Sequence, residues 1–174
     1  SVLRLSLIIG GQIMDEDAKK TALRMIPYGM YVLTSKSQDG QEVSAATVNW
    51  LTQTSFAPPL VAVGVKGDST AHAHITDTGV FAVNVIGKDQ LDTAFTFFKS
   101  LEREGDSIGG QAFVAGPETG CALLTNSPAW WECKVVSQLD QGDHTLFLGE
   151  VLEAGTRAED QTILMRDHNL NYGG

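Results

Sequence analysis

The segment Gly142-Asp143-His144-Thr145-Leu146-Phe147-Leu148-Gly149-Glu150-Val151 constrains this chain most. A turn runs directly into an alternating strand pattern. A two-residue period puts His144, Leu146 and Leu148 on one face and Thr145, Phe147 and Gly149 on the other. Both faces are largely apolar, which predicts a strand covered on both sides, in a barrel or under a helix. An ionisable His at its mouth stands where a flat ligand could be wedged between wall and turn. The same His could equally cap a hairpin as an inert, hydrogen-bonded group.

The rest of the chain is read in the same way. Asp15 to Ile26 has acids in front, bases behind and Ala18, Ala22, Leu23 and Ile26 at helical spacing, which predicts a short helix broken by Pro27-Tyr28-Gly29. Met30 to Lys36 and Val43 to Trp50 read as strands joined across Asp39-Gly40, an Asp-Gly hairpin signal. Gln53 to Phe56 continues or bends the second strand, and Leu60 to Lys66 follows the proline pair Pro58-Pro59. A short helix over Ser69 to Thr76, capped by Asp68 or Ser69, precedes a strand over Gly79 to Ile86 and a helical stripe over Asp89 to Leu101. Glu102 to Gly120 is Gly-rich and polar and reads as a long loop or lid. Trp130 to Leu139 and Thr145 to Ala154 form a last hairpin. Many hairpin-linked strands with few helices between them predict a mainly β fold, an antiparallel β-barrel with helical insertions.

With 174 residues, 43% hydrophobic and 19% charged, the chain can bury the core of one domain, placed at 15–174. Residues 1–14 begin with Ser1 to Gly11, a stretch that faintly resembles a signal-peptide core but is short, carries only Arg4 and lacks a cleavage pattern; Met14 before Asp15-Glu16-Asp17 reads as a natural beginning. They are expected to be an N-terminal extension or an added strand. The net charge of −9 opposes phosphate backbones and anionic lipid, so neither nucleic acid nor a membrane is expected as partner. Two cysteines, Cys121 and Cys133, fit small buried hydrophobes in a reduced, cytoplasmic setting.

Three places could hold chemistry besides His144. In an uninterrupted strand Thr47, Asn49, Gln53 and Ser55 would share one face, a polar row that could match the donors and acceptors of a flavin ring edge or simply face solvent. Lys66, Ser69 and Thr70 meet at a strand end and a helix start, where free N–H groups favour a phosphate; Asp68 opposes this unless it turns away. His72 and His74 lie two apart on a helix and point to different sides, so no metal is expected.

Several motifs together resemble the flavin reductase-like family of FMN-binding split barrels. Met25 to Thr34 is similar to its opening strand, Thr47 to Val61 to the next two, and Gly79-Val80-Phe81-Ala82-Val83-Asn84-Val85 to its G-x-F-A-V-N-V strand. Gly142 to Val151 is similar to its G-D-H-x-L-F-x-G-E-V signature, and Leu164 to Tyr172 to a closing strand ending in aromatic-Gly. The resemblance implies a split β-barrel with Greek-key-like connections, forming a homodimer with flavin near the interface. It implies that Thr47, Val48, Asn49, Trp50, Gln53 and Ser55 line the isoalloxazine and that Lys66, Ser69 and Thr70 face the phosphate. Phe81 and Phe98 would pack around the pocket, and His144 would act on the nicotinamide side. Family members often carry an Arg-Thr pair where this chain has Thr70 and Ala71. That departure implies help from Lys66 or His72, or a flavin held loosely as a substrate.

The activity expected from the resemblance is an NAD(P)H:flavin oxidoreductase that uses FMN, with FAD as the other flavin, and supplies reduced flavin to a partner oxygenase. The alternative is a flavoredoxin-like electron-transfer protein with tightly held FMN and little NAD(P)H turnover. A cofactor-free barrel interaction domain ranks last.

Overall fold

A computed structural model describes residues 13–174; the expected N-terminal extension lies almost wholly outside the described residues. Helix α1 (Glu16–Arg24) starts at Asp15, whose carboxylate accepts from the N–H groups of Asp17 and Ala18. None of its residues is buried.

Seven strands form one antiparallel sheet: β1 (Tyr31–Lys36), β2 (Val43–Val48), β3 (Leu51–Ser55), β4 (Leu60–Lys66), β5 (Val80–Val85), β10 (Ala129–Asp140) and β11 (His144–Thr156). Their order is β2-β1-β5-β10-β11-β4-β3. The two outermost strands, β2 and β3, are neighbours in the chain, with only Asn49 and Trp50 between them. A flat sheet of seven strands would hold its edges about 29 Å apart, whereas this connection spans at most about 11 Å. The sheet must therefore curl until its edges approach, giving a barrel split between β2 and β3.

The other elements close this frame. Helix α2 (Thr70–Thr78) is capped by Ser69, whose hydroxyl accepts from the His72 N–H, and it ends at Gly79 in the left-handed region, with φ 71°. Helix α3 (Leu91–Thr96) covers the free edge of β2: the Thr47 N–H donates to the Phe97 carbonyl (3.0 Å) and the Thr47 hydroxyl to the Ala94 carbonyl (2.7 Å). Turning the Phe97 carbonyl toward β2 ends the helix, which is why it is shorter than the stripe over Asp89 to Leu101 predicts. Leu33, Val63, Phe81, Val83 and Phe147 fill the barrel interior. A second cluster, with Met30, Val32, Phe97, Ile108 and Ile163, packs under α3 and a small second sheet.

That second sheet replaces the loop expected over Glu102 to Gly120. Strands β6 (Arg103–Glu104), β7 (Ser107–Ile108), β8 (Gln111–Ala115) and β9 (Ala122–Leu124) run as an antiparallel meander. The glycines that suggested a loop are its turn residues: Gly105, Gly109 and Gly110 all adopt positive φ, leaving Ile108 and Phe113 free to be buried. The tail differs too. Instead of a closing strand, Leu164 makes one isolated bridge to Gly29, a 3₁₀ turn follows over Met165–His168, and Asn169 takes a left-handed φ of 54°.

Strand β11 is covered on one face rather than two. Thr145, Phe147 and Gly149 point inward and are buried, while Leu146 is 43% exposed and pairs across the hairpin with Leu139, 53% exposed.

Candidate active site

A cavity of about 320 Å³ opens at the split, at the lower end of the range usual for small-molecule sites. Met30, Leu33, Val65, Ala71 and Phe97 give it apolar walls. Thr47, Val48 and Asn49 enter from the end of β2, and Gly64 and Lys66 from β4. Ser69 comes from the cap of α2, Phe98 from the end of α3, and His144 from the first position of β11. The barrel register explains this convergence: His144 stands directly opposite Lys66, and the Gly67 N–H donates to the Asp143 carbonyl (2.9 Å), tying the β10–β11 turn to the end of β4.

His144 is held from both sides. Its Nδ1 lies 2.7 Å from the Asp143 carboxylate and its Nε2 2.9 Å from the Tyr172 hydroxyl. The imidazole also packs against the Trp50 indole, with ring centroids 4.6 Å apart. Hydrogen bonding to His144, reinforced by the attraction of its charge, holds the Asp143 carboxyl below the ordinary Asp value. A carboxylate at Nδ1 favours a proton there and leaves Nε2 as the acceptor in the neutral ring.

The cationic side of the cavity is weak. Lys66 is exposed and has Asp68 only 3.4 Å away as a counter-charge. The Ser69 hydroxyl already donates to the Lys66 carbonyl (2.7 Å) while capping α2. His72 does not compensate through Nε2, which lies 2.8 Å from the Thr145 hydroxyl; that hydroxyl donates its proton to Asp140. Nε2 of His72 is therefore the donor in its pair. His74 instead approaches Glu42 at 3.4 Å, so the two histidines face separate partners.

Seven of the twelve residues expected at the site line this cavity: Thr47, Val48, Asn49, Lys66, Ser69, Phe98 and His144. Trp50 flanks it through His144. Gln53 and Ser55 lie beyond the Asn49–Trp50 bend, where the Gln53 amide donates to the Ser55 carbonyl (3.1 Å), so the polar row is broken in two. Thr70 turns to a separate surface depression shared with Glu42 and His74. Phe81 is wholly buried inside the barrel and does not reach the cavity. Nine lining residues were not among the twelve expected, and three of them come from segments whose sequence suggested a different structure. Tyr172 and Met165 come from the tail, where the Met165 sulfur lies 3.0 Å from the Asn49 amide nitrogen; Phe97 belonged to a stripe that looked like uniform helix. The aromatic-Gly ending was the available signal for Tyr172.

The residues suit a planar heteroaromatic ligand. Apolar walls could face its rings, the Asn49 amide could supply polar contacts, and Lys66 with the start of α2 could meet an anionic tail. The Trp50 Nε1–H is buried beside the cavity with no hydrogen-bond partner among the described residues.

A split barrel with a ligand-sized, His-bearing cavity at its seam is the class that fold and site define. Its relatives agree. Residues 23–173 match the model of the flavin reductase like domain. The chain is 34% identical over 143 residues to an NADH-dependent flavin reductase of Pseudomonas fluorescens, covering 82% of this chain and 80% of that one. It spans only 43% of a longer probable flavin reductase of Rhizobium meliloti. Among solved structures, an NADH:FAD oxidoreductase of Streptomyces globisporus superposes with a TM-score of 0.73 at 28% identity, over 88% of this chain and 92% of that one. The styrene monooxygenase flavin reductase of Pseudomonas putida gives 0.70 at 32% identity, over 86% and 91%. The chain belongs to the flavin reductase-like family.

Proposed function

We propose that this protein is an NADH-dependent flavin reductase whose reduced flavin serves a partner oxygenase. The observation that carries the reading is the convergence of Asn49, Lys66 and the Asp143-anchored His144 on one cavity. Flavin and NADH supply the redox chemistry, a hydride passing from nicotinamide C4 to flavin N5. The chain supplies orientation and charge compensation. Thr47, Val48 and Asn49 hold one edge of the ring system, and the apolar walls exclude water from its faces. His144 positions the nicotinamide or holds a proton at Nε2, while Asp143 fixes its tautomer. Lys66 and the α2 N-terminus meet the flavin phosphate.

FMN is the flavin of this reading, with FAD accepted. Because Asp68 offsets Lys66 and no bidentate partner stands at Thr70 or Ala71, the flavin is an exchangeable substrate rather than a prosthetic group. A homodimer is part of the same reading, supported by Leu139 and Leu146, an exposed apolar pair on the β10–β11 hairpin that carries His144. No helix among the described residues is long and apolar enough to cross a membrane; the cytoplasmic setting belongs to the proposal.

Steady-state NADH oxidation with added FMN or FAD tests the activity. Turnover is expected, and His144→Ala should lower kcat/KM for NADH by about tenfold or more. Wild-type kinetics in His144→Ala would remove His144 from the mechanism. Absence of NADH turnover with either flavin would sink the reductase reading and leave the electron carrier.

A further inference from the structure

Both ring nitrogens of His144 are already engaged, Nδ1 by Asp143 and Nε2 by Tyr172. Under the reading above, an incoming nicotinamide finds no free position on the imidazole. The occupant of Nε2 belongs to the tail, which few hydrogen bonds hold and whose Tyr172 ring also packs on Trp50 with centroids 5.2 Å apart. Asn169 turns the chain in the left-handed region, and Gly173 and Gly174 adopt φ of 94° and 101°. Beyond Leu170, which packs on the core cluster under α3, the hydrogen bonds are from Arg24 Nε to the Gly173 carbonyl (3.2 Å) and between Tyr172 and His144.

A second observation points the same way. Gly173 covers one edge of the Trp50 indole so closely that a Cβ there would stand 3.1 Å from Cζ2 and 3.8 Å from Nε1. That Nε1–H is one of three buried side-chain polar atoms without a hydrogen-bond partner among the described residues. The tail thus occupies one polar group of the site and strands another, which biases it toward exchange with a ligand that can satisfy both. The cavity's modest volume, about 320 Å³, favours the same outcome, because Tyr172 is one of its lining residues and its departure would enlarge it.

We propose that Tyr172 is an exchangeable cap on His144: the nicotinamide displaces it, and the exposed Nε2 of His144 and Nε1–H of Trp50 then receive the carboxamide. Neutral His144 offers an acceptor and Trp50 a donor. A primary carboxamide offers the complementary pair, an NH₂ and a carbonyl oxygen. The inference rests on the flavin reductase reading and adds the groups that select the amide end of the dinucleotide.

The test combines NADH kinetics at fixed FMN with amide hydrogen exchange of the intact protein. Tyr172→Phe keeps the ring but removes the capping hydroxyl. It is expected to raise kcat/KM for NADH about fivefold, the worth of one net hydrogen bond, through a lower KM rather than a higher kcat. In the wild type, saturating NAD⁺ should speed exchange in residues 170–174. A KM for NADH that is unchanged or raised in Tyr172→Phe overturns the cap, as does tail exchange that is unchanged or slowed by NAD⁺. His144→Ala separates the two failures. If wild type and variant alike show no NADH turnover, the underlying reading has failed; if His144→Ala leaves NADH kinetics untouched, His144 has no part in nicotinamide binding and the cap falls with it; if it lowers kcat/KM while Tyr172→Phe changes nothing, only the cap has failed.

Discussion

Gly149 offers a quantitative test of how the barrel interior sets the position of His144. It lies on β11, five residues after His144, with its α-carbon against the core. A Cβ at this position would meet Phe81 Cζ at 2.7 Å, Cys133 Cβ at 2.8 Å and Phe81 Cε1 at 2.9 Å. Phe81 and Cys133 are both wholly buried, and a Cβ atom cannot rotate away. Gly149→Ala must therefore push β11 outward or drive Phe81 from its rotamer. Overpacking of this kind costs about 1–3 kcal/mol. Reduced freedom of the unfolded chain returns about 0.4–1 kcal/mol. The net expectation is a loss of about 1–2 kcal/mol, or roughly 2–8 °C in Tm for a chain of this size. Urea denaturation of the wild type, Gly149→Ala, Phe81→Leu and the double variant gives the coupling. Phe81→Leu removes two of the three close contacts, so the alanine should cost less in that background by about 1 kcal/mol. A Gly149→Ala variant as stable as the wild type, or strict additivity with Phe81→Leu, would refute the packing argument.

Three further outcomes are expected. The Asp39, Asp140 and Asp143 carboxyls are held below 3.8, chiefly by hydrogen bonds from Ser37, Thr145 and His144 respectively. Their stabilisation is fully present above that value and is lost as pH falls through the lower folded values. Asp140→Asn should flatten the acid limb of a urea-midpoint profile below about pH 4, and an unaltered limb would contradict this. Burial pushes the Cys121 thiol up to about 11 and Cys133 up to about 12. Neither should react with Ellman's reagent at pH 8 until urea unfolds the protein; prompt labelling of the native state would show that one is accessible. Lys66→Ala should raise the KM for FMN severalfold and leave that for riboflavin, which lacks the phosphate, nearly unchanged. Equal effects on both flavins would place Lys66 elsewhere.

Legibility in the sequence followed the strength of the local physics. Strand β4 appears residue for residue as Leu60 to Lys66, because an apolar run stops at a lysine before a capped helix. The Asp-Gly turn gave the β1–β2 hairpin, and Ser69 gave the start of α2. His144 was legible because a turn motif fixed it at a strand mouth. What failed depended on the fold as a whole. Odd spacing joins Thr47 and Asn49 to Gln53 and Ser55 only if the strand is straight, and closure of the barrel bends it between them. Phe81 and Phe98 look alike as aromatics in apolar runs, but the face of β5 that carries Phe81 turns into the barrel. Tyr172 reaches His144 across 28 positions, a contact no local pattern encodes.

The central claim is best tested by anaerobic spectroscopy of the purified protein with one equivalent of FMN, followed by NADH. NADH is expected to bleach the visible flavin band within catalytic time. A band that persists with NADH and NADPH, yet bleaches with dithionite, would contradict the claim and identify a flavin-binding protein that takes its electrons elsewhere.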